Sequence, residues 1–135
     1  MASIRKEIVI EAPLESVWDA VRDVGAVHKR QAPGLVVNTR LEDDVRIVTF
    51  ASGLVLRELI VTIDDQARRL VWAAVGGQIK HHNGSKQVFD AGNGRSRLVW
   101  ITDILPHDLA EMAGPIMEEG LRLAKELLER EAKGA

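Results

Sequence analysis

Two adjacent charges, Arg57 and Glu58, stand in an otherwise apolar stretch of this 135-residue chain and are its strongest candidates for chemistry inside a fold. The stretch is a predicted strand, so only one of the two side chains can point to the interior. Alternation with the apolar residues around them turns Arg57 inward. An inward charge in an apolar cavity must find a partner or shift its pKa. It would therefore either anchor a ligand or pair with a neighbour such as Lys86 or Arg46.

Histidines are the other candidates for polar chemistry, because imidazole titrates near neutral pH. His81 and His82 are adjacent on a predicted strand, so at most one of them faces inward, and we take His81 as the candidate. A zinc site needs several converging ligands, and the histidine spacing offers no such set. Cysteine is absent, which removes thiol nucleophiles, disulfides and cysteine metal sites. We therefore expect no metal and no cofactor.

Other classes of function lack the residues they need. The chain has no credible catalytic triad, phosphate loop, dinucleotide fingerprint or paired-carboxylate site, and it contains no tyrosine. A net charge of −2 gives no electrostatic basis for binding nucleic acid or an anionic membrane. No apolar run approaches membrane-spanning length, and the charged N-terminal stretch is not a signal peptide. We expect one cytoplasmic domain over residues 1–135, without membrane insertion.

The longest element that could position the candidate residues is a predicted helix from about Asp108 to Ala132. Its apolar residues recur at steps of three and four and form one stripe, while its charges take the other side. Gly114-Pro115 lies inside the pattern, so we expect a kink or a late helix start there. Gly120 leaves a gap in the stripe, which would either admit a bulky strand residue or help to form a ligand cavity.

Almost everything before that helix is typical of strands. The first strand, Ile4 to Glu11, is followed by a helix that opens at Pro13 and by a short helix over Ala26 to Gln31. Turns rich in glycine, aspartate and asparagine separate the later strands, and their close spacing leaves no room for crossover helices. The sheet is therefore predicted to be an antiparallel meander. The later strands are Leu35–Glu42, Val45–Ala51, Leu54–Ile63, Arg69–Val75, Ile79–Ala91 and Arg95–Leu105.

This order of elements resembles the helix-grip fold of the START-like (SRPBCC) superfamily, which includes polyketide cyclases and dehydrases, aromatases, lipid-transfer proteins and birch-pollen-type allergens. The similarity covers nearly the whole chain. It rests on short motifs in the right order: Ala12 to Trp18, Asp64-Asp65, Leu70 to Gly77, Leu105-Pro106 and Glu119 to Leu121. The resemblance implies an α+β fold in which a seven-stranded curved antiparallel sheet wraps around the long C-terminal helix, with two short helices after the first strand. It also implies that a hydrophobic small molecule binds between sheet and helix.

The plant abscisic-acid receptors of this superfamily are distantly similar. Ser52-Gly53-Leu54 and Gly76-Gly77 resemble the gate and the latch that cover the receptors' pocket. However, Val55 stands where the gate has a proline, and the lysine that binds the hormone's carboxylate falls near Leu35. We therefore reject hormone recognition and keep only the location of the pocket.

The register of the superfamily also bears on single residues. It turns Glu58 inward instead of Arg57, so the sequence does not decide which of the two side chains faces the interior. It puts Trp72 on the pocket wall and His28 near the pocket mouth. It places Trp100 on the convex face, where the ring would mark an oligomer interface such as that of a homodimer, whereas alternation along the strand buries it.

We expect the ligand-binding residues to be His28, Val48, Phe50, Arg57, Glu58, Trp72, His81, Lys86, Met112, Ile116 and Gly120. The leading hypothesis is a carrier or sensor of a hydrophobic molecule that is lipid-, polyketide- or aromatic-like. The first alternative is an enzyme of the polyketide-cyclase or aromatase type whose catalytic residues the sequence does not identify. The second is a protein-interaction module with a vestigial pocket. An apolar cavity would favour the carrier, inward ionisable groups the enzyme, and a filled interior the module.

Overall fold

A computed structural model describes residues 2–134 of the chain. The elements before the meander are β1 (Ser3–Ile10), α1 (Leu14–Arg22) and α2 (Val27–Arg30). They are followed by β2 (Val36–Glu42), β3 (Val45–Phe50), β4 (Val55–Asp64), β5 (Arg69–Val75), β6 (His81–Gly92), β7 (Arg95–Leu105) and α3 (Leu109–Gly134). The predicted order of elements is confirmed. The sixth strand begins at His81 and not at Ile79, because Gly76 and Gly77 turn the chain before it.

All seven strands form one antiparallel sheet in the order β1-β7-β6-β5-β4-β3-β2. Strands β2 to β7 pair with their sequence neighbours, and β1 closes the other side by pairing with β7. Residues in the left-handed region make the tight turns, among them Asp43 (φ 55°) and Asn93 (φ 57°). The antiparallel meander and the α+β helix-grip fold are therefore confirmed.

Helix α3 lies across one side of the sheet. Its contacts with strands are mainly with β1 and β7, and it also contacts α2. The helix begins at Leu109 and continues through Pro115, so the alternative of a late start at Gly114-Pro115 is wrong. No helix within residues 2–134 is long and apolar enough to cross a membrane.

The main hydrophobic core lies beneath the C-terminal half of α3. Leu121, Ala124 and Leu128 of that helix are buried there. Helix α1 fills the space between them and the sheet, because its buried face enters the same cluster. The other buried members include Ile10, Val17, Trp18, Val21, Leu70, Val88 and Leu98. A smaller cluster of Ala32, Val36 and Val48 lies on the β2–β3 side.

Candidate ligand-binding site

A cavity of about 540 Å³ lies between the N-terminal half of α3 and the inner face of the sheet. The helix contributes Leu109, Met112, Ala113, Ile116, Met117 and Gly120. The apolar part of the strand walls comes mainly from Val48, Phe50, Leu56, Leu70, Trp72, Ala74, Trp100 and Ile104. Cavities that bind small molecules measure roughly 300–1,000 Å³ and are predominantly apolar. The size and lining are therefore those of a small-molecule site.

Exposed residues at one end of the cavity form its mouth. Val55, after the β3–β4 turn, and Met112, at the start of α3, are 53% and 56% exposed. Gly76 and Gly77 border the same space with φ angles of 102° and 58°, a backbone conformation that favours glycine. Leu54 lines the cavity as well. The segments that resemble the receptors' gate and latch thus both reach the cavity.

A buried ion pair joins two neighbouring strands on the cavity wall. Arg46 on β3 lies opposite Glu58 on β4, and its Nε and Nη2 atoms are 2.8 and 2.7 Å from Glu58 Oε1. Both side chains are less than a tenth exposed. Both contacts use Oε1, so the other carboxylate oxygen has no hydrogen bond to protein within residues 2–134. A ligand hydroxyl or amine could donate to that oxygen.

The expectation from alternation that Arg57 faces inward is wrong. Its side chain is 54% exposed and its guanidinium lies 3.9 Å from Glu42, although the residue borders the cavity. Val55 and Leu59 share its face of β4 and are 53% and 41% exposed. The strand is apolar on both faces, so alternation identified the residues that share a face without showing which face is covered.

Lys86 on β6 is a second buried cation on the cavity wall. Its Nζ donates a hydrogen bond of 2.7 Å to the side-chain oxygen of Gln31 and lies 4.1 Å from the Trp100 ring centroid. Burial lowers the pKa of the Lys86 ammonium to about 7, and the nearby Arg46 charge adds to this effect while Glu58 opposes it. Since Arg46 and Glu58 pair with each other, a charged Lys86 has no carboxylate of its own within residues 2–134. Near pH 7 the amine is therefore present both with and without its proton.

His82, and not the predicted His81, lines the cavity. His81 is exposed, and the adjacent residue points the other way. The backbone N–H of Ala74 donates to His82 Nδ1 at 2.9 Å, so the ring proton of the neutral histidine is on Nε2. Burial lowers the pKa of His82, and the acceptor role of Nδ1 likewise favours the neutral ring.

His28 also departs from the expectation, because it is not among the residues that line the cavity. Its Nδ1 lies 3.0 Å from the hydroxyl of Thr39, and this contact ties α2 to β2. Val27 of α2 and Gln31, Ala32 and Leu35 after it do line the cavity, and Gln31 is the hydrogen-bond partner of Lys86.

Two tryptophans form the inner wall. Trp72 and Trp100 have ring centroids 5.9 Å apart and both line the cavity. The superfamily register, which placed Trp100 on the convex face, is therefore wrong for this residue, and the reason to expect an oligomer interface there is removed. A Cβ atom at Gly84 would lie 2.7 Å from Trp72, and one at Gly120 would lie 3.1 Å from Trp100. Both glycines thus leave room for an indole ring.

The remaining expected residues all line the cavity, and their contact with a ligand stays a prediction: Val48, Phe50, Glu58, Trp72, Lys86, Met112, Ile116 and Gly120. Sequence reasoning did not include Gln31 or Arg46 among the binding candidates, and of the pair His81 and His82 it selected the wrong member. A signal existed for Arg46, since counting outward from the predicted turn at Ser52-Gly53 brings it close to Glu58. No local signal marks Gln31, because its role depends on a hydrogen bond from Lys86, which is 55 positions away on β6.

The chain matches the family described as polyketide cyclase/dehydrase and lipid transport over residues 1–132. The chain belongs to this family. The resemblance to the START-like superfamily is thereby confirmed. No curated protein shows detectable similarity to the chain.

Solved structures share this fold at low sequence identity. A protein of Thermobifida fusca is 23% identical with a TM-score of 0.77, and the match covers 99% of this chain and 95% of the other. A di-domain aromatase/cyclase, BexL of the BE-7585A biosynthetic pathway, is 14% identical with a TM-score of 0.81, over 96% of this chain and 47% of that one. Norcoclaurine synthase of Thalictrum flavum, bound to a transition-state analogue, is 15% identical with a TM-score of 0.73, over 96% and 94%. At these identities the likeness shows the fold alone.

Proposed function

We propose that this protein binds a hydrophobic small molecule, lipid-, polyketide- or aromatic-like, in the cavity beneath α3, as a carrier or sensor. The observation that carries the proposal is the open cavity of about 540 Å³, with an apolar lining and a small set of polar groups. A protein whose pocket is vestigial would have filled this volume with side chains, since interiors are close-packed. The open volume supports the binding hypothesis over the interaction module.

The polar groups support a ligand with one polar end. The Arg46–Glu58 pair, Lys86 and His82 occupy strands β3, β4 and β6, whereas the α3 side of the cavity is apolar. A buried polar group left without a partner costs about 1–3 kcal/mol, so such groups select one orientation of the ligand. The apolar body would lie against Met112 and Ile116, and the polar end would meet the strand wall.

A second candidate function is catalysis of the polyketide-cyclase type. The observation in its favour is that the cavity wall carries Glu58, His82 and Lys86, and that the pKa of Lys86 is about 7. A general acid or base works best when its pKa lies near the working pH. The family description and the aromatase/cyclase among the similar structures support the same candidate. A cytoplasmic location and a small-molecule partner without nucleic acid suit both functions.

The binding proposal is tested by blocking the cavity from the helix side. Ala113→Trp places an indole at a position that lines the cavity, and Ala110→Trp places the same group on the same helix outside the lining. Titration with an anilinonaphthalene sulfonate dye should show binding weakened at least about tenfold, or 1.4 kcal/mol, by the first change and little altered by the second. Equal dye affinity in both folded variants would contradict the proposal.

Native mass spectrometry of protein purified from its own cells gives the most direct evidence. A co-purified small molecule that is released by Ala113→Trp and retained by Ala110→Trp would identify the ligand. The catalytic candidate needs a turnover assay with a poly-β-ketone thioester mimic. Cyclisation by the wild-type protein that slows in Glu58→Gln or His82→Gln, with dye binding unchanged, would establish it.

A further inference from the structure

We propose that Lys86 captures an aldehyde or ketone group of the bound molecule as a reversible imine. This inference deepens the proposed function and rests on it, because it assumes that the cavity takes a small molecule. It names the ligand class as carbonyl compounds with an apolar body. The Lys86 amine forms the bond, and the cavity holds the ligand with its carbonyl group next to that amine.

The position of Lys86 supports this role. The residue lines the cavity while being only 8% exposed, so a molecule that reaches its Nζ must come through the cavity. The hydrogen bond to Gln31 and the contact with the Trp100 ring hold the amine in one place. The other lysines of the chain, Lys6, Lys29, Lys80, Lys125 and Lys133, do not line the cavity. Lys86 is thus the amine that an enclosed ligand would meet.

The protonation state of Lys86 suits attack on a carbonyl. Only a neutral amine carries the lone pair that forms the bond. With a pKa of about 7, roughly half of the Lys86 amines are neutral at pH 7, against about one in 2,500 for an unperturbed lysine. The titratable groups around the same wall are Glu58, which favours the charged form, and Arg46, which opposes it. His82 is neutral there for the reasons given above.

The reaction requires no further reagent. The Lys86 nitrogen forms a bond to the carbonyl carbon, and a proton moves from nitrogen to the former carbonyl oxygen to give a carbinolamine. The carbon–oxygen bond then breaks, and the oxygen leaves as water with both hydrogens of the neutral amine. The product is a carbon–nitrogen double bond, and adding water reverses the sequence. Desolvation by the apolar walls favours the side that releases water.

A carboxylate ligand is the competing explanation for a buried lysine. An anionic head group would pair with the ammonium form and raise its pKa, so it would bind without a covalent bond. A carbonyl ligand instead reacts with the neutral amine of Lys86. The two ligand classes are therefore distinguished by covalent trapping.

Naphthaldehyde with cyanoborohydride provides the test, because the hydride converts an imine into a stable secondary amine. We expect intact-mass analysis at about pH 7 to show one adduct, with the mass of the aldehyde less one oxygen atom. Peptide mapping should place it on Lys86. The yield at Lys86 should rise from about pH 6 to about pH 8 as the amine loses its proton. Lys80→Met, which changes an exposed lysine outside the cavity, should leave the adduct unchanged.

Lys86→Met and Lys86→Arg should abolish the mapped adduct, whereas Lys80→Met should keep both the adduct and the binding of naphthalene, measured by its fluorescence. Labelling confined to the exposed lysines, with naphthalene bound in the cavity, would overturn the imine and leave the binding proposal intact. A failure of wild-type protein to bind naphthalene or the dye would instead refute the binding proposal. Because the wild-type mapping decides by itself, the conclusion does not depend on either variant folding.

Discussion

The two halves of helix α3 carry the same apolar stripe, but the C-terminal half covers packed core and the N-terminal half covers the cavity. In the C-terminal half, Leu121, Ala124 and Leu128 are buried in the main core. In the N-terminal half, Ile116 lines an open cavity and Met112 is 56% exposed. An apolar stripe on a helix therefore does not by itself indicate a packed core, because the same pattern can line a ligand cavity.

The difference comes from what lies between the helix and the sheet. Helix α1 packs on β6 and β7 and fills the space under the C-terminal half of α3 with Val17, Trp18 and Val21. Within residues 2–134, no corresponding element fills the space under the N-terminal half, where α3 faces β3 to β7 across the cavity. One end of the molecule thus holds the fold together, and the other end is left free to bind.

The largest expected loss of stability comes from breaking the Arg46–Glu58 ion pair on the cavity wall. Glu58→Met leaves the Arg46 guanidinium buried without its partner and should lower the free energy of unfolding by about 3–5 kcal/mol. Arg57→Met, at the adjacent exposed position, should change it by less than about 0.5 kcal/mol. Urea unfolding of both variants measures the contrast. If Arg57→Met proved the more damaging change, our placement of the two side chains would be incorrect.

The next effect compares the two halves of α3 directly. Leu121→Ala removes a buried side chain from the packed core and should cost about 3 kcal/mol, because the neighbours cannot fully close the space. Ile116→Ala enlarges a cavity that already exists and should cost less than about 1.5 kcal/mol. Thermal and urea unfolding provide the measurement. Equal losses at the two positions would mean that the helix is packed along its whole length.

The smallest expected effect is a pH dependence of the free energy of unfolding that comes from Lys86 in the half of the molecule that holds the cavity. The folded-state pKa of Lys86, about 7, lies below its ordinary value of 10.5, so the unfolded chain binds more protons between these values. The free energy of unfolding should therefore rise with pH across that window, by about 1.5 kcal/mol from pH 7 to pH 8.5. Below about pH 7 both states carry the proton, and this contribution to the slope disappears.

Lys86→Met is the control for that dependence, because it should remove the rise above pH 7 and leave other slopes in place. His82 contributes in a separate window: its lowered pKa makes the unfolded state the better proton acceptor below 6.5, so stability falls with acid there. An unchanged slope above pH 7 in Lys86→Met would show that the lysine does not titrate in this range.

Much of the fold can be predicted from the sequence, because short local patterns specify the turns and the elements between them. Turn residues at Asp43-Asp44 and Gly92 to Gly94 separate the strands, and local sequence is sufficient to specify such turns. The superfamily register puts Trp72 on the cavity wall, and the apolar stripe of α3 brings Ile116 to it. Alternation turns Arg57 to the wrong side because β4 is apolar on both faces, so the pattern does not show which face is covered. His81 and His82 are adjacent on β6, and no local pattern shows which of the two faces the cavity.

The sequence by itself determined the order of the elements, the antiparallel meander and the apolar stripe of α3, since each follows from local periodicity and turn chemistry. The tertiary structure alone decided which side of β4 is covered, that Arg46 meets Glu58, and that Gln31 meets Lys86. Gln31 and Lys86 are 55 positions apart, so no local pattern can relate them. Their meeting, and the burial that lowers the pKa of Lys86, exist only once α2 and the sheet enclose the same space.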